Sequence, residues 1–236
     1  RRIVKSYSTE VFVGVLDFDK KGPPGRIYNF YNTGKYFSID DSYKRGTKVE
    51  EKSYSKIRLV PFSEKLPWDD VFPVLNYVNL GEGDFRPGKE TPIYSRLNWA
   101  PNICYETIYP DFVRQNIRSG ARLIVNITND GWFQKSTAPY QHLNLVKFRA
   151  AENGIPVARS ANTGVSAFID QYGRIRKQTK IFESTLIQDE IPLKTRTTLY
   201  SQIGDVVEEI LFWLFWLLLL AAIWYGPHRL KNRSQF

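Results

Sequence analysis

The feature that most restricts this chain is an uncharged apolar stretch near its C-terminus. Residues 210–225 read ILFWLFWLLLLAAIWY and contain no charged side chain. Leucine and tryptophan would cover every face of a helix there, and aromatic residues are typical of membrane interfaces. Extending the run back through Val206 approaches the ~20 residues that cross a bilayer. We therefore predict a transmembrane helix over residues 206–226, with a fully buried core helix as the alternative.

The charges beside this segment predict its orientation. Acidic residues precede the apolar run, whereas residues 227–236 carry basic side chains and no acidic one. Short cytoplasmic ends of membrane proteins have an excess of Lys and Arg. We predict that residues 227–236 form a basic cytoplasmic tail and that residues 1–200 form a domain on the opposite side of the membrane.

The composition of the chain is that of a globular domain. Of its 236 residues, 42% are hydrophobic and 24% are charged. The net charge is +9, but Lys and Arg are scattered and match no nucleic-acid module, so we expect no nucleic-acid partner. A single Cys excludes an internal disulfide, and one Cys with two distant His predicts no metal site. We expect no cofactor.

Strand patterns alternate with helix patterns along residues 10–188. We predict helices over 110–119 and 139–153, and a polar connection over 43–55. The predicted strands are residues 10–18, 27–39 (as a pair around a turn at 32–34), 123–128, 155–159, 165–170 and a last one near 181–188. This alternation is typical of an α/β domain.

The single cysteine, Cys104, lies between an extended apolar run and a helix start at Pro110. A thiol at a strand-to-helix junction is fixed on one side and open to solvent on the other, which suits a nucleophile. Taken alone, the cysteine is better interpreted as a small buried hydrophobe, which is what most free cysteines are. Pro101 removes a ladder hydrogen bond and predicts that the strand before Cys104 is short or lies at a sheet edge.

Other polar and aromatic residues are candidates for the same site. Lys56 borders an apolar stretch; a lone lysine is usually a solvated surface charge, but partial burial here would bring it beside a reacting carbonyl oxygen. Residues 68–80 form an unusually apolar loop, which we interpret either as a membrane contact or as a lid on the core. A turn after residue 128 presents Trp132 and Phe133.

Four runs of sequence carry a resemblance to a known family: KIRLVPFSE, NICYE, VNITNDGWF and PYQHLNLVKFRAAENGIPVARSANTGVSAFID. Over about residues 10–225 the chain resembles the carbon–nitrogen hydrolase (nitrilase) superfamily, and within it the membrane-bound branch that N-acylates apolipoproteins. The resemblance implies a four-layer α-β-β-α sandwich followed by one transmembrane helix. It also implies a bacterial inner-membrane protein with several spans, whose catalytic domain is periplasmic.

The resemblance further implies a Glu-Lys-Cys catalytic set. Cys104 matches the nucleophile, and Lys56 matches the lysine that stabilises the thiolate and the oxyanion. Glu64, Tyr105 and Glu106 match positions that support activity, and we expect both glutamates to orient Lys56. In the implied reaction the thiolate attacks a phospholipid ester, and the resulting thioester acylates the amino group of an apolipoprotein's diacylglyceryl-cysteine.

The family's general-base glutamate precedes the region that corresponds to Glu10–Phe18, and no residue here matches it. Glu10 is not in the required sequence context and is left unassigned. The chain also begins with Arg-Arg and contains no methionine. We interpret it as the C-terminal part of a longer enzyme, expected to be inactive alone and monomeric.

Trp132, Phe133 and the loop 68–80 are candidates for guiding acyl chains. Two other interpretations remain. A nitrilase-type amidase would act on a small C–N substrate, although such a substrate needs no membrane anchor. A non-catalytic, membrane-anchored binding protein would keep the fold without the base.

Overall fold

The computed structural model describes residues 2–7, 9–20, 28–40, 48–66, 85–193 and 195–233. The helices and strands are α1 (Arg2–Tyr7), β1 (Val11–Asp19), β2 (Asn29–Asp40), β3 (Lys48–Ser55), β4 (Trp99–Ile103), α2 (Pro110–Arg118), β5 (Leu123–Thr128), α3 (Ala138–Asn153), β6 (Val157–Ala161), β7 (Ala167–Ile169), β8 (Ile175–Gln178), α4 (Leu199–Ile203) and α5 (Val206–Arg233). Two 3-10 helices, Cys104–Ile108 and Asp130–Phe133, follow β4 and β5.

In the described part of the chain, the strands form two sheets. One has the order β1-β2-β3 and is antiparallel; the other has the order β4-β5-β6-β7-β8. Strands β4, β5 and β6 are parallel, whereas β7 and β8 are antiparallel to their neighbours. Strand β4 contains Pro101, has five residues and lies at the edge of its sheet, which confirms the prediction from that proline.

The two sheets face each other across an aromatic layer. The Trp99 ring on β4 lies 5.1 Å from that of Phe12 on β1 and 5.2 Å from that of Tyr36 on β2, measured between centroids. Both contacts have the edge-to-face geometry that aromatic quadrupoles favour. Side chains from the two sheets therefore bury one continuous core.

Helices α2 and α3 cover the other face of the five-stranded sheet. Successive side chains of a strand point to opposite faces, so Ala100 and Ile124 face away from the aromatic layer. They pack with Val113 of α2 and Val146 and Ala150 of α3, all fully buried. The predicted helices and the buried strand over residues 123–128 are thus confirmed, as is the α/β class.

The predicted turn at residues 32–34 is wrong, because these residues lie inside the continuous strand β2. Gly34 pairs with Gly14 on one side and Tyr54 on the other. A Cβ on Gly34 would lie 2.3 Å from Cζ of Phe12, so the glycine makes room for an aromatic ring. A glycine inside a strand often marks such a close approach rather than a turn.

Two further predictions are corrected. Residues 48–55 belong to β3 rather than to an irregular connection. The last strand is Ile175–Gln178, and residues 181–188 contain no strand. Phe182 has a φ of 57°, which a β-strand does not allow. The loop 68–80 lies outside the described residues.

The predicted C-terminal helix is confirmed and is longer than expected. Helix α5 runs from Val206 to Arg233 and so includes most of the residues predicted as a tail. Its segment Val206–Tyr225 has 20 residues and a mean hydropathy of 2.3, and none of it is buried in the protein. By length and composition this segment can cross a bilayer, and it is not a core helix of this chain.

Candidate active site

Cys104 directly follows β4, at the carboxyl edge of the parallel strands. In open α/β sheets, ligands bind outside this edge. The residue is partly exposed and has a φ of 52°, in the left-handed region that non-glycine residues rarely adopt. Such a conformation costs roughly 1–3 kcal/mol and persists only where the surrounding structure imposes it.

Glu106, in the 3-10 helix that begins at Cys104, is one group that holds the backbone of the cysteine turn in place. Its carboxylate is fully buried and accepts hydrogen bonds from Ile103 N (2.7 Å), Ile57 N (2.6 Å) and Arg58 N (3.1 Å). The Tyr54 hydroxyl donates to it at 2.8 Å. Burial raises the pKa of Glu106, and the three backbone N–H groups and Tyr54 oppose this effect.

These bonds connect two distant parts of the sequence. The N–H of Ile57 belongs to the residue after Lys56, and that of Ile103 belongs to the residue before Cys104. Glu106 therefore holds the segment that carries the candidate lysine against the turn that carries the candidate nucleophile. The sequence predicts that Glu106 helps to orient Lys56; in the structure its carboxylate binds the backbone N–H groups that follow Lys56 and precede Cys104.

Lys56 is fully buried and pairs with Glu64. Its Nζ donates to Oε2 of Glu64 at 2.6 Å. The same carboxylate accepts bonds from Asn32 Nδ2 at 3.0 Å and Val60 N at 2.8 Å. Because an unpaired buried charge is very costly, the pair and its extra donors fix the direction of the ammonium group. The direct contact of Glu64 with Lys56 is the geometry that an orienting role requires, and that role stays a prediction.

A second buried network lies beneath the cysteine turn. Arg159 Nη2 donates to Asp130 Oδ2 at 2.7 Å, and its Nη1 donates to Asn126 Oδ1 at 2.6 Å. Oδ1 of Asp130 accepts from Thr128 Oγ1 at 2.8 Å and lies 3.2 Å from Nδ1 of His142. Arg159 and Asp130 side chains are both 0% exposed.

The network also sets the charges of its members. Burial raises the pKa of Asp130, but the hydrogen bond with His142 and the charge of Arg159 outweigh burial and hold that pKa below its usual value. Burial lowers the pKa of His142, which is therefore neutral at pH 7. The network thus contains one carboxylate and one guanidinium that balance each other.

This network reaches the backbone of Cys104. Asn126 Nδ2 donates to the carbonyl oxygens of Asn102 (3.1 Å) and Cys104 (3.3 Å). The backbone of Cys104 also acts on His142, since it partly opposes the lowering of the His142 pKa by burial. The Tyr105 ring lies 5.7 Å from the His142 ring between centroids. Sequence reasoning did not assign this network; a polar Asn126 inside the apolar strand LIVNIT was the available signal.

The remaining predicted site residues are dispersed. Trp132, in the 3-10 helix after β5, lies at the same carboxyl edge as Cys104 and is 66% exposed. Phe133 is partly buried beside it. Glu10, which is left unassigned, forms an ion pair with Arg96 at 2.9 Å.

The fold has two facing sheets, and a cysteine lies at the end of a parallel strand. A buried Lys–Glu pair is held to the turn of this cysteine. These features define a nitrilase-type α/β protein. The chain belongs to the carbon–nitrogen hydrolase family, whose model matches residues 1–200. The chain is similar in fold to a carbon–nitrogen hydrolase from Helicobacter pylori G27, with a TM-score of 0.59, 14% identity and coverage of 81% of this chain and 65% of that one. It is also similar to an amidase from Nesterenkonia sp. AN1 that carries the acetamide moiety of fluoroacetamide on its active-site cysteine (TM-score 0.51, 18% identity, coverage 76% and 60%).

Curated relatives at higher identity are apolipoprotein N-acyltransferases. The one from Geobacter metallireducens is 42% identical over 153 residues, which are 64% of this chain and 29% of the relative. That from Rickettsia prowazekii is 38% identical over 81% of this chain and 37% of the relative. That from Haemophilus influenzae is 34% identical over 92% of this chain and 41% of the relative. The chain therefore spans less than half the length of these relatives.

Proposed function

We propose that this chain is the catalytic part of an acyltransferase that transfers an acyl group from a phospholipid to the N-terminal diacylglyceryl-cysteine of an apolipoprotein. The observation that carries the proposal is Cys104, held at positive φ at the carboxyl end of β4 and tied through Glu106 to the Lys56 segment. The names of the curated relatives supply the substrate class.

The first step forms a thioester. A thiol with an ordinary pKa of ~8.5 is mostly protonated at neutral pH, so Cys104 needs a base to take its proton. The family's general-base glutamate, outside this chain, is the proposed acceptor. The thiolate attacks the ester carbonyl carbon, and the electron pair of the C=O bond moves onto its oxygen. The C–O bond then breaks, and the departing alkoxide of the lysophospholipid recovers the proton from the base.

Two groups of this chain are suited to stabilise the oxyanion. The buried ammonium of Lys56 supplies a positive charge in a low-dielectric site. The first N–H groups of the 3-10 helix Cys104–Ile108 have no partner within the helix, which is the usual source of oxyanion donors next to a nucleophile. Each well-placed donor contributes about 2.7–4 kcal/mol to the transition state.

The second step resolves the thioester. The amino group of the apolipoprotein's cysteine attacks the thioester carbon, and the C–S bond breaks with its electron pair returning to Cys104. The base takes a proton from the amine and passes it to the thiolate. The products are an amide on the lipoprotein and free Cys104.

Both proposed substrates are lipids, and the location follows from this. We propose that α5 crosses the inner membrane, with the catalytic domain periplasmic, the C-terminus cytoplasmic and the full-length protein multi-pass and monomeric. The apolar length of α5 supports the crossing, and the basic residues after Tyr225 support the orientation. We further propose that Trp132 and Phe133 contact acyl chains, since Trp132 is an exposed aromatic side chain at the carboxyl edge.

The second candidate is an amidase acting on a small C–N substrate. The fold similarity to the Nesterenkonia amidase favours it. The two candidates differ in the acyl donor, because an amidase would not take an acyl group from a phospholipid in a bilayer.

The decisive experiment incubates the full-length protein with phospholipid carrying a labelled acyl chain. We expect label on Cys104 that hydroxylamine releases and that a folded Cys104→Ser protein does not acquire. A folded wild-type protein without such an adduct would rule out the proposed mechanism, and an adduct formed only from small amides would favour the amidase. The same assay on residues 1–236 alone tests the expectation that this part is inactive by itself.

A further inference from the structure

We propose that Arg114, on α2, is a positioning residue that fixes the joint between the α/β domain and α5 and so sets how Cys104 faces the bilayer. The inference rests on the proposed function, in which α5 crosses the membrane and both substrates are lipids. It concerns contacts at the end of α4 and does not involve the residues proposed for the chemistry.

Arg114 binds the end of α4. Its Nε donates to the carbonyl oxygen of Ser201 at 3.2 Å, and its Nη2 donates to that of Gln202 at 2.6 Å. Carbonyl groups in the last turn of a helix have no partner within it. The planar guanidinium satisfies two of them in one fixed geometry, which a lysine cannot do.

The chain then passes closely over the same guanidinium. Gly204 follows α4 with a φ of 65°, and its N–H donates to the carbonyl of Tyr200 at 2.7 Å. A Cβ on Gly204 would lie 2.9 Å from Cζ of Arg114. The joint therefore needs both a left-handed conformation and the absence of a side chain at this position.

A second contact connects α4 to the first turn of α5. The Tyr200 hydroxyl donates to Oδ1 of Asp205 at 3.1 Å. The carbonyl of Asp205 in turn accepts from Glu209 N at 3.0 Å, within α5. The direction in which α5 leaves the domain is thus set by contacts on both sides of Gly204.

The joint is coupled to the cysteine turn through α2. This helix begins two residues after the 3-10 helix Cys104–Ile108, and α4 is also bound to α3, where Thr198 Oγ1 donates to the carbonyl of Glu152. None of the segment Val206–Tyr225 is buried against the domain. Among the described residues, the contacts of α4 and Gly204 therefore determine the angle between the domain and the span.

Loss of this joint should affect membrane substrates selectively. A phospholipid ester lies at a fixed depth in the leaflet, so a tilted domain presents Cys104 at the wrong height. A short water-soluble ester reaches the partly exposed thiol from solution, whatever the tilt of the domain relative to the bilayer. We expect Arg114→Gln to slow acylation of Cys104 by vesicle phospholipid about tenfold, because ångström-scale misplacement costs up to ~100-fold in rate.

The experiment uses the full-length protein in vesicles of phosphatidylethanolamine and phosphatidylglycerol. The rate of Cys104 acylation is measured with vesicle phospholipid and, in detergent, with p-nitrophenyl butyrate. Arg114→Gln and Gly204→Ala should lose activity only with the phospholipid. The controls are Arg118→Gln, an exposed residue of the same helix, and Gly120→Ala, which adds strain at a φ of 100° with no atom within 4 Å.

A second measurement does not depend on catalysis. A nitroxide on Cys104 reports collisions with oxygen, which is concentrated in the bilayer, and with a water-soluble nickel chelate; the signal of a labelled Cys104→Ser protein is subtracted. We expect the ratio of these collision rates to change in Arg114→Gln and not in Arg118→Gln.

The outcomes of these experiments distinguish the positioning role of Arg114 from the proposed acyltransferase function. An equal loss with both esters in Arg114→Gln, or no loss with either, overturns the positioning role. If wild-type protein forms no phospholipid adduct, the proposed function fails. The positioning role is then decided by the nitroxide alone, and an unchanged collision ratio overturns it.

Discussion

Two ion pairs of this protein have the same length and opposite surroundings. Arg159 lies 2.7 Å from Asp130, and Arg58 lies 2.7 Å from Asp111, between nitrogen and oxygen. The first pair is 0% exposed on both sides, whereas the side chains of the second are 47% and 58% exposed. Because burial removes solvent screening, only the first pair is expected to be energetically important.

Asp130→Asn tests this difference. The substitution leaves Arg159 buried without its counter-charge, which typically costs about 3–5 kcal/mol. We expect a large decrease in the midpoint of thermal unfolding in detergent at pH 7. Asp111→Asn is the matched control, and exposed pairs contribute about 0–1 kcal/mol. Equal decreases for both variants would contradict the assignment of the buried network as a stabilising unit.

The same variant has a predicted pH dependence. The folded-state pKa of Asp130 is lowered from its ordinary value of 3.8, so the stability that its charge provides is present above pH 3.8. That stability is lost as the pH falls through the lower, folded-state pKa. The difference in unfolding midpoint between wild type and Asp130→Asn should therefore be constant at neutral pH and shrink below pH 3.8.

At this scale the sequence locates candidate side chains better than the buried contacts that hold them in place. The position of Cys104 at the end of a strand follows from local patterns, and Lys56 follows from the resemblance. Asp130, His142 and Arg159 are separated by 12 and 17 positions and meet only because β5, β6 and α3 pack together. The polar Asn126 inside an apolar strand indicates that something is bound there, but nothing local in the sequence identifies these three side chains as its partners.

At the scale of elements, strand β2 illustrates how pairing overrides a turn pattern. The residues Asn-Thr-Gly at 32–34 favour a turn when read locally. In the folded chain Gly34 is hydrogen-bonded between β1 and β3 and lies under the Phe12 ring. The strand is central, and its pairing on both sides decides the conformation.

Gly34→Ala is expected to destabilise the protein, whereas Gly14→Ala is its matched control. The two glycines are cross-strand partners. A Cβ at Gly34 would lie 2.3 Å from Cζ of Phe12, and one at Gly14 would lie 3.4 Å from Cδ1 of Ile127, an ordinary contact. Overpacking costs about 1–3 kcal/mol, measured as a lower unfolding midpoint. Phe12→Leu should partly rescue Gly34→Ala, and lack of rescue would exclude the ring as the cause.

Exposed polar strands are also difficult to predict from the sequence. Strand β3 is mostly exposed, and charged side chains such as Lys52 and Glu50 pair along it at 3.2 Å. An exposed strand needs no apolar alternation, so its sequence reads as a polar connection. The helices α2 and α3 were predictable because each buries an apolar face against the sheet.

At the scale of the whole molecule, the proposed reaction requires that apolar features of the domain face the bilayer into which α5 inserts. Trp132 is 66% exposed, and its side chain therefore contributes little to folding. An exposed indole at the edge that carries Cys104 leaves apolar surface in water, and covering that surface is favourable. An acyl chain held there would supply that cover.

Trp132→Ala is therefore expected to impair acyl transfer without destabilising the protein. Burying an aromatic side chain against an acyl chain contributes about 1.5 kcal/mol, so the KM for vesicle phospholipid should rise roughly tenfold. Turnover of p-nitrophenyl butyrate and the unfolding midpoint should not change. Tyr172→Ala, which removes an aromatic side chain of 49% exposure from the turn before β8, is the control. If both variants raise the KM equally, the indole has no specific contact with the acyl chain, because any exposed aromatic residue would then serve the same purpose.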